Sequence, residues 1–390
     1  MINEEILTSD FQTYLRTIEK EDIRNISLKK SPFPAISSAE LAQQLKGLQV
    51  AKNKFPTLYA TKNIYFPPSV NLEQASSEAA ANYKATLTNG NKIIDLTAGL
   101  GIDSIAFSST FKEVIHIEQN SALSEIVAHN VKTLNKNVKC FNTTFETYFA
   151  RYPSETFDVI YLDPARRDNT GRKFILEDLE PNILEHLDFF FEKANQVIVK
   201  LSPLLDISLT IQQIKCIKEI HIVAVKNEVK DFLIVLEKGL ETDNPKIICV
   251  NLESNQSNYS FNFLDESDNI PTFSDVKQYI YDPNVAILKA GAFKGICNAF
   301  KVDKLHQNTH LYTSNQLIKN FPGRIFEVVE FIKNPKKEIA KTKANLIVKN
   351  YPENIDLIKK KLKLIDGGDV TYIFTQTIDG IKILKTKRYI

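Results

Sequence analysis

Ile94-Asp95-Leu96-Thr97-Ala98-Gly99-Leu100-Gly101-Ile102-Asp103 decides how this chain is read. Its apolar start reads as the end of a buried strand, and the residues after Gly101 read as the start of a helix. Glycine at 99 and 101 lets the backbone approach a ligand with no Cβ in the way. The helix start beyond them offers unpaired N–H groups to a polar or anionic group. A glycine-rich turn alone is a weak signal, because dinucleotide-binding domains use one too.

Working outward, apolar runs suited to buried strands recur at 92–96, 113–118, 138–142, 157–162 and 196–201, separated by helical patterns at 102–109, 121–134, 145–150, 178–194 and 208–214. Such alternation predicts a parallel sheet covered by helices on both faces. Strand patterns at 219–226 and 232–236 come next, with a link too short for a parallel crossover, so they are expected to form an antiparallel hairpin. The predicted fold is α/β, five parallel strands plus a terminal antiparallel hairpin, which is the Rossmann-like ground plan of class I methyltransferases.

Three details favour S-adenosylmethionine over NAD as the cofactor. Asp95 precedes the first glycine by four residues, placed to reach the amino group of a methionine moiety; Ser104 stands where a third fingerprint glycine would fall; and the hairpin closes the sheet. Thr97 lies in the same turn. Glu118, ending the second strand, is placed for ribose hydroxyls, although NAD sites use an acid there as well. Asn142 and Thr143 end the third strand, where an adenine ring would lie. The plainer reading is a glycine turn with capping acids.

A second motif, Tyr161-Leu162-Asp163-Pro164-Ala165-Arg166-Arg167, ends the fourth strand. Ligands bind at the carboxyl ends of parallel strands near the switch in strand order, so Asp163 is expected beside Gly99. It occupies the place of the Asp/Asn-Pro-Pro-aromatic element with which many methyltransferases hold a target amino group, but no aromatic residue comes after it. Asp-Pro-Ala-Arg instead resembles enzymes that methylate C5 of uridine in RNA. Those need a cysteine nucleophile at the end of the fifth strand; Lys200-Leu201-Ser202-Pro203 stands there, and Cys216 is too far along. Direct transfer to a nitrogen or oxygen remains. The candidate catalytic residues are Asp163, to hold or deprotonate the acceptor, and Arg166 and Lys200, to bind an anionic part of the substrate; Asp163 also counts among the cofactor contacts. Ordinary ion pairing is the rival reading of the two cations. Asn227 and Glu228, in the hairpin turn, are second-tier candidates.

With 390 residues the chain is long enough for several domains. Residues 1–71 read as a helical N-terminal region broken at Ser31-Pro32-Phe33-Pro34, 72–240 as the methyltransferase domain, opening with a helix over 72–87, and 241–320 as linker strands with a helix over 284–300. The last stretch, 321–390, mixes short strands with a lysine-rich helix. That tail holds 15 Lys+Arg against 8 Asp+Glu within a chain of net charge +2. A basic appendage on a slightly acidic body points to nucleic acid, and the plainer alternative is a solvated lysine-rich surface. Four scattered cysteines without metal-like spacing fit a reduced compartment and no metal. No basic leader or apolar span of membrane length is present, so a cytoplasmic location is expected. His306 and His310 lack a matching ligand cluster.

The chain resembles a bacterial family of class I S-adenosylmethionine-dependent methyltransferases with a C-terminal THUMP-like domain. The resemblance rests on Phe66-Pro67-Pro68, Gln74-Ala75-Ser76-Ser77-Glu78, the two motifs above, Lys200-Leu201-Ser202-Pro203, Lys289-Ala290-Gly291-Ala292-Phe293, His306 to Tyr312 and Phe321-Pro322-Gly323-Arg324. It implies a small ferredoxin-like segment within 241–320 and a THUMP-like domain over 321–390. THUMP domains bind RNA, so it also implies RNA as partner and substrate, with methyl transfer to a base nitrogen of tRNA or rRNA. Two alternatives stand beside this: methylation of a small metabolite, with the tail as lid or dimerisation surface, and a non-catalytic RNA-binding protein on the same scaffold.

Overall fold

The computed structural model describes residues 2–166 and 175–389, and Arg166 by its backbone alone. Two compact units account for the contacts: Met1–Lys218 with Leu233–Glu241, and Glu219–Phe232 with Thr242–Ile390.

The first unit opens with helices α1 (Ser9–Thr17), α2 (Ile23–Leu28), α3 (Ser38–Lys54), α4 (Pro56–Ala60), α5 (Ser69–Gln74) and α6 (Glu78–Ala85). Ser37 and Glu40 start α3 with a capping box. The extended segment after α4 has no strand beside it, so its backbone groups are satisfied by two buried amides. Gln44 exchanges two hydrogen bonds of 2.9 Å with the backbone of Phe66, and Asn130 does the same with Tyr65. The single helix expected over 72–87 is two helices. Ser77 caps α6 by accepting from Ala80 N, and Ser76 turns its hydroxyl to Lys84 and Asp103; such serine contacts compete with helix continuation.

The strands are β1 (Gly90–Asp95), β2 (Phe111–Ile117), β3 (Val138–Phe141), β4 (Phe157–Leu162), the two-residue pair β5 (Ala165–Arg166) and β6 (Leu179–Glu180), β7 (Ala194–Leu201), β8 (Ile217–Val225) and β9 (Glu228–Glu237). Helices α7 (Ile102–Phe107), α8 (Ser121–Thr133), α9 (Phe145–Arg151), α10 (Ile183–Lys193) and α11 (Ile207–Gln213) alternate with them. Strands β3-β2-β1-β4-β7 are parallel neighbours. Glu237 N donates to Cys216 O, and Lys238 N to Asn195 O, which seats the end of β9 between β7 and the start of β8. The five parallel strands and closing hairpin expected from the sequence are therefore present. The chain builds β1, β2 and β3 outward and then returns to place β4 on the other side of β1, so the switch lies where Asp95 pairs with both His116 and Tyr161.

Within the second unit, β10 (Lys246–Leu252) runs parallel to β8 and β11 (Tyr259–Asn262) pairs antiparallel with β10. After α12 (Asp265–Asp268) comes a seven-stranded sheet of order β13-β14-β12-β15-β18-β17-β16. Its strands are β12 (Tyr279–Pro283), β13 (Asp303–His306), β14 (Thr309–Ser314), β15 (Gly323–Phe331), β16 (Asn345–Lys349), β17 (Val370–Thr377) and β18 (Gly380–Arg388), with helices α13 (Val285–Ala290), α14 (Gly295–Phe300), α15 (Pro335–Glu338) and α16 (Ile355–Leu362). The helix expected over 284–300 is α13 and α14, because Gly291 ends α13 at φ 73°. Among the described residues no helix is long and apolar enough to cross a membrane, and no cluster of His, Cys, Asp and Glu is arranged to hold a metal ion. His310 instead stacks on Phe293, ring centres 3.6 Å apart.

Gly47, inside α3, shows packing overruling propensity. Alanine would favour the helix by about 1 kcal/mol, but a Cβ there would sit 2.1 Å from Phe66 Cβ. Gly47→Ala is therefore expected to destabilise the protein by about 1–3 kcal/mol, read from the midpoint of urea unfolding; a gain in stability would show that the 64–66 segment yields.

Candidate active site

Local sequence builds the floor of the site. Backbone at Gly99 and Gly101 is left-handed, with φ 51° and 75°. A Cβ on Gly101 would meet Val127 Cγ1 at 2.7 Å, so glycine there serves packing, whereas one on Gly99 would touch only Thr97 O, at 3.9 Å. The turn is pinned on both sides. Gly99 N donates to Glu118 Oε2 at 3.1 Å, and His116 places Nε2 3.3 Å from Gly99 O. Burial holds His116 neutral, its pKa pushed down to about 4.

The turn opens onto a cleft of about 160 Å³ whose lining includes Asp95, Thr97, Gly99, Gly101, Asp103 and Asp163; among the described residues no lysine or arginine lines it. Asp95 is buried, accepting from Ser104 Oγ at 2.8 Å and, weakly, from Thr97 N at 3.3 Å. Burial first, and the Asp103 charge second, raise its pKa to about 8. Thr97 also joins the two motifs, since its Oγ1 accepts from Asp163 N at 2.6 Å. The Asp163 carboxylate takes a 2.5 Å hydrogen bond from Lys200. Its side chain keeps 36% of its surface in solvent, but desolvation of its inner side outweighs Lys200 and raises its pKa.

Asp103 answers to a different cation. Lys84, wholly buried on α6, puts Nζ 2.6 Å from Asp103 Oδ1 and 2.6 Å from Ser76 Oγ. Ser76 and Tyr161 hydroxyls donate to Asp103 Oδ2, each at 3.0 Å. Burial pushes this carboxyl up, but the ammonium groups of Lys84 and Lys200 prevail and hold it below the ordinary carboxylate range. The three carboxylates thus divide: the Asp103 carboxyl is held below the ordinary range, while Asp95 and Asp163 hold protons more tightly than usual.

The structure brings Asp95, Thr97, Gly99, Gly101 and Asp163 into one cleft and ties Lys200 to Asp163. Glu118 touches the glycine turn from outside the cleft lining. Asn142 stands one step further out, donating to Glu118 O and Gln119 O, and Thr143 does not line the cleft. The Arg166 side chain, and Arg167, lie outside the described residues. Within the second unit Asn227 N donates to Asn251 Oδ1, and Asn227 Oδ1 accepts from Val285 N. Sequence reasoning missed Lys84, Ser76, Asp103 and Tyr161. The signal available was a lysine seven residues into an alanine-rich helix otherwise fit for burial.

Three families match the chain in tandem. Residues 74–201 match Conserved hypothetical protein 95, 279–322 a ferredoxin-like domain and 323–384 a THUMP domain-like family. A crystal structure of a methyltransferase candidate from Porphyromonas gingivalis W83 is 29% identical, covers both chains fully and superposes with a TM-score of 0.89. An uncharacterized S-adenosylmethionine-dependent methyltransferase of Mycobacterium tuberculosis is 20% identical over 78% of this chain and 83% of its own length. Ribosomal RNA small subunit methyltransferase J of Psychrobacter cryohalolentis is 33% identical over 96 residues, 20% of this chain and 32% of that one.

Removing one partner of a buried pair leaves the other charge uncompensated, at a cost of about 3–5 kcal/mol. Lys84→Met is expected to lose that much stability in urea unfolding, and Asp103→Asn introduced with it should recover part of the loss. A single variant as stable as the parent would mean that the pair is not the anchor described.

Proposed function

We propose that this chain, an S-adenosylmethionine-dependent methyltransferase of the class I fold with a THUMP-like end, transfers a methyl group to a nitrogen of an RNA base, in tRNA or rRNA, in the cytoplasm. The observation that carries the reading is the acid-lined cleft at the switch of the sheet. A pyrophosphate would meet three carboxylates there and, among the described residues, no lining cation. S-Adenosylmethionine carries an ammonium and a sulfonium, so the donor set suits it, and Gly99, which lines the cleft without a Cβ, lets it come close to the backbone.

The bound group supplies a methyl already activated on a sulfonium. Asp95 accepts the ammonium of its methionine moiety; Thr97, Gly99 and Gly101 shape the turn around it; Glu118, with Asn142 and Thr143 beyond it, serves the ribose and adenine end. Asp163 receives the acceptor's N–H, and its raised pKa suits it to take up a proton there. Lys200 is a positioning residue, aiming the Asp163 carboxylate, and Arg166, from its place after Asp163, takes the substrate's phosphate. Orienting acceptor and donor supplies most of the rate, because the methyl needs no further activation. RNA as the substrate is supported by the basic charge of residues 321–390, the THUMP domain-like match and the ribosomal RNA methyltransferase among the relatives. The division of the chain at 72, 241 and 321 belongs to the same proposal.

Titration calorimetry with S-adenosylmethionine, S-adenosylhomocysteine and NAD tests the cofactor reading. Micromolar binding of the first two, lost in Asp95→Ala, is expected; binding of NAD alone, or of nothing, would overturn it. The protonation state adds a sharper test. Folded Asp95 keeps its proton up to about pH 8, whereas an unfolded aspartate loses it near 3.9. This group therefore makes stability fall as pH rises between those values, and an ammonium ligand must expel the proton below pH 8. S-Adenosylhomocysteine binding at pH 7 should release nearly one proton, seen as a dependence of the heat on buffer ionisation enthalpy that falls by about half at pH 8 and is absent in Asp95→Asn.

Asp163→Asn should lower methyl transfer to undermodified RNA by about 10²–10⁴-fold. Radiolabelled methyl appearing in small molecules and never in RNA would refute the RNA assignment.

A further inference from the structure

The charge of residues 321–390 is less available than its total suggests. Arg324 and Lys349 face the buried Asp282; Lys359 pairs with Asp366, Lys361 with Glu353, Lys382 with Asp275 and Lys385 with Glu330. Lys333 and Lys336 are exposed and have no ion-pair partner among the described residues. Both stand on the rim of one cleft of about 240 Å³, between the end of β15, α15 and α16. Its wall is apolar: Ile358, Leu362 and Phe374 are buried at its base, and the half-buried Tyr351 meets Phe374 edge to face at 5.2 Å. Tyr351 makes no hydrogen bond through its hydroxyl among the described residues. The rim also carries Lys361 and its partner Glu353, 2.7 Å apart.

We propose that this cleft seats one unpaired nucleotide of the RNA, its base against Tyr351 and its backbone phosphates on Lys333 and Lys336. An aromatic ring in an apolar cleft flanked by free cations is the combination single-stranded nucleic acid uses: stacking is tolerant of base identity and phosphate contacts add affinity. A purely apolar partner would leave the two lysines unused, and an acidic peptide would leave the aromatic wall unused. The proposal rests on RNA being the substrate, but it concerns a site on the second unit alone.

The test uses the full-length protein and a short single-stranded RNA carrying 2-aminopurine, with fluorescence anisotropy for affinity and 2-aminopurine quenching for stacking. Tyr351→Ala should weaken binding roughly tenfold and abolish the quenching, whereas Tyr351→Phe keeps both. Lys333→Ala with Lys336→Ala should shallow the slope of log affinity against log salt by about 1.4, since each single-strand phosphate contact contributes about 0.7. These lysines are exposed, so this variant reads the site even if Tyr351→Ala unfolds the small core. Unchanged affinity and slope in both variants would overturn the proposal, as would polyglutamate competing as well as RNA. S-Adenosylhomocysteine binding is measured alongside. If it holds while RNA binding is indifferent to these residues, the nucleotide seat fails and the methyltransferase reading stands; if it is absent, that reading fails on its own terms.

Discussion

The buried ammonium of Lys84 is what allows three carboxylates to share one cleft. Asp95, Asp103 and Asp163 converge where β1 and β4 meet at the switch of the sheet, and like charges so placed raise one another's pKa. Without compensation the folded chain would have to keep all three protonated or open the cleft to water. Lys84 neutralises Asp103 from below and Lys200 draws on Asp163 from the side, which leaves Asp95 with no cation paired to it among the described residues. A cationic cofactor can meet that unbalanced acid, so the structural ion pair and the binding chemistry are two sides of one electrostatic balance.

This balance explains why the helices before β1 belong to the catalytic unit. Lys84 comes from α6, and its second partner, Ser76, comes from the break between α5 and α6. The break costs helical hydrogen bonds, but it turns a hydroxyl inward that bridges Lys84 and Asp103. Further back, Gln44 and Asn130 hold residues 65 and 66 by side-chain amides in place of a strand neighbour, which fixes the chain entering α5. Positioning of the cleft's charge thus reaches back to α3 through hydrogen bonds that are buried and fully used.

How much was legible in the sequence depends on the range of the interactions. The β1 turn was readable because its signals, glycines at 99 and 101 and an aspartate four residues earlier, act within ten residues. Asp163 was readable because topology brings the end of strand four beside strand one. Lys84 was not, since an alanine-rich helix bearing one lysine reads as solvated on that side, and only Asp103, 19 residues on, makes its burial tolerable. The two helices expected to be continuous failed for local reasons of opposite kind, a serine cap at 77 and a left-handed glycine at 291.

The same distinction governs the basic tail. Net charge is a property of composition and sets the long-range field, which draws a polyanion without choosing where it rests. Placement depends on which cations are left over after the fold has used the others. In residues 321–390 the carboxylates Asp366, Glu353 and Glu330 each engage a lysine, and the buried Asp282, from outside the tail, engages Arg324 and Lys349. Exposed pairs of this kind are worth little for stability, but each lowers the local potential where it sits. Lys333 and Lys336 are among the tail cations with no ion pair among the described residues, and the nearby Glu338 accepts from Asn334 N. Of the unpaired cations, these two stand beside the aromatic wall of Tyr351 and Phe374.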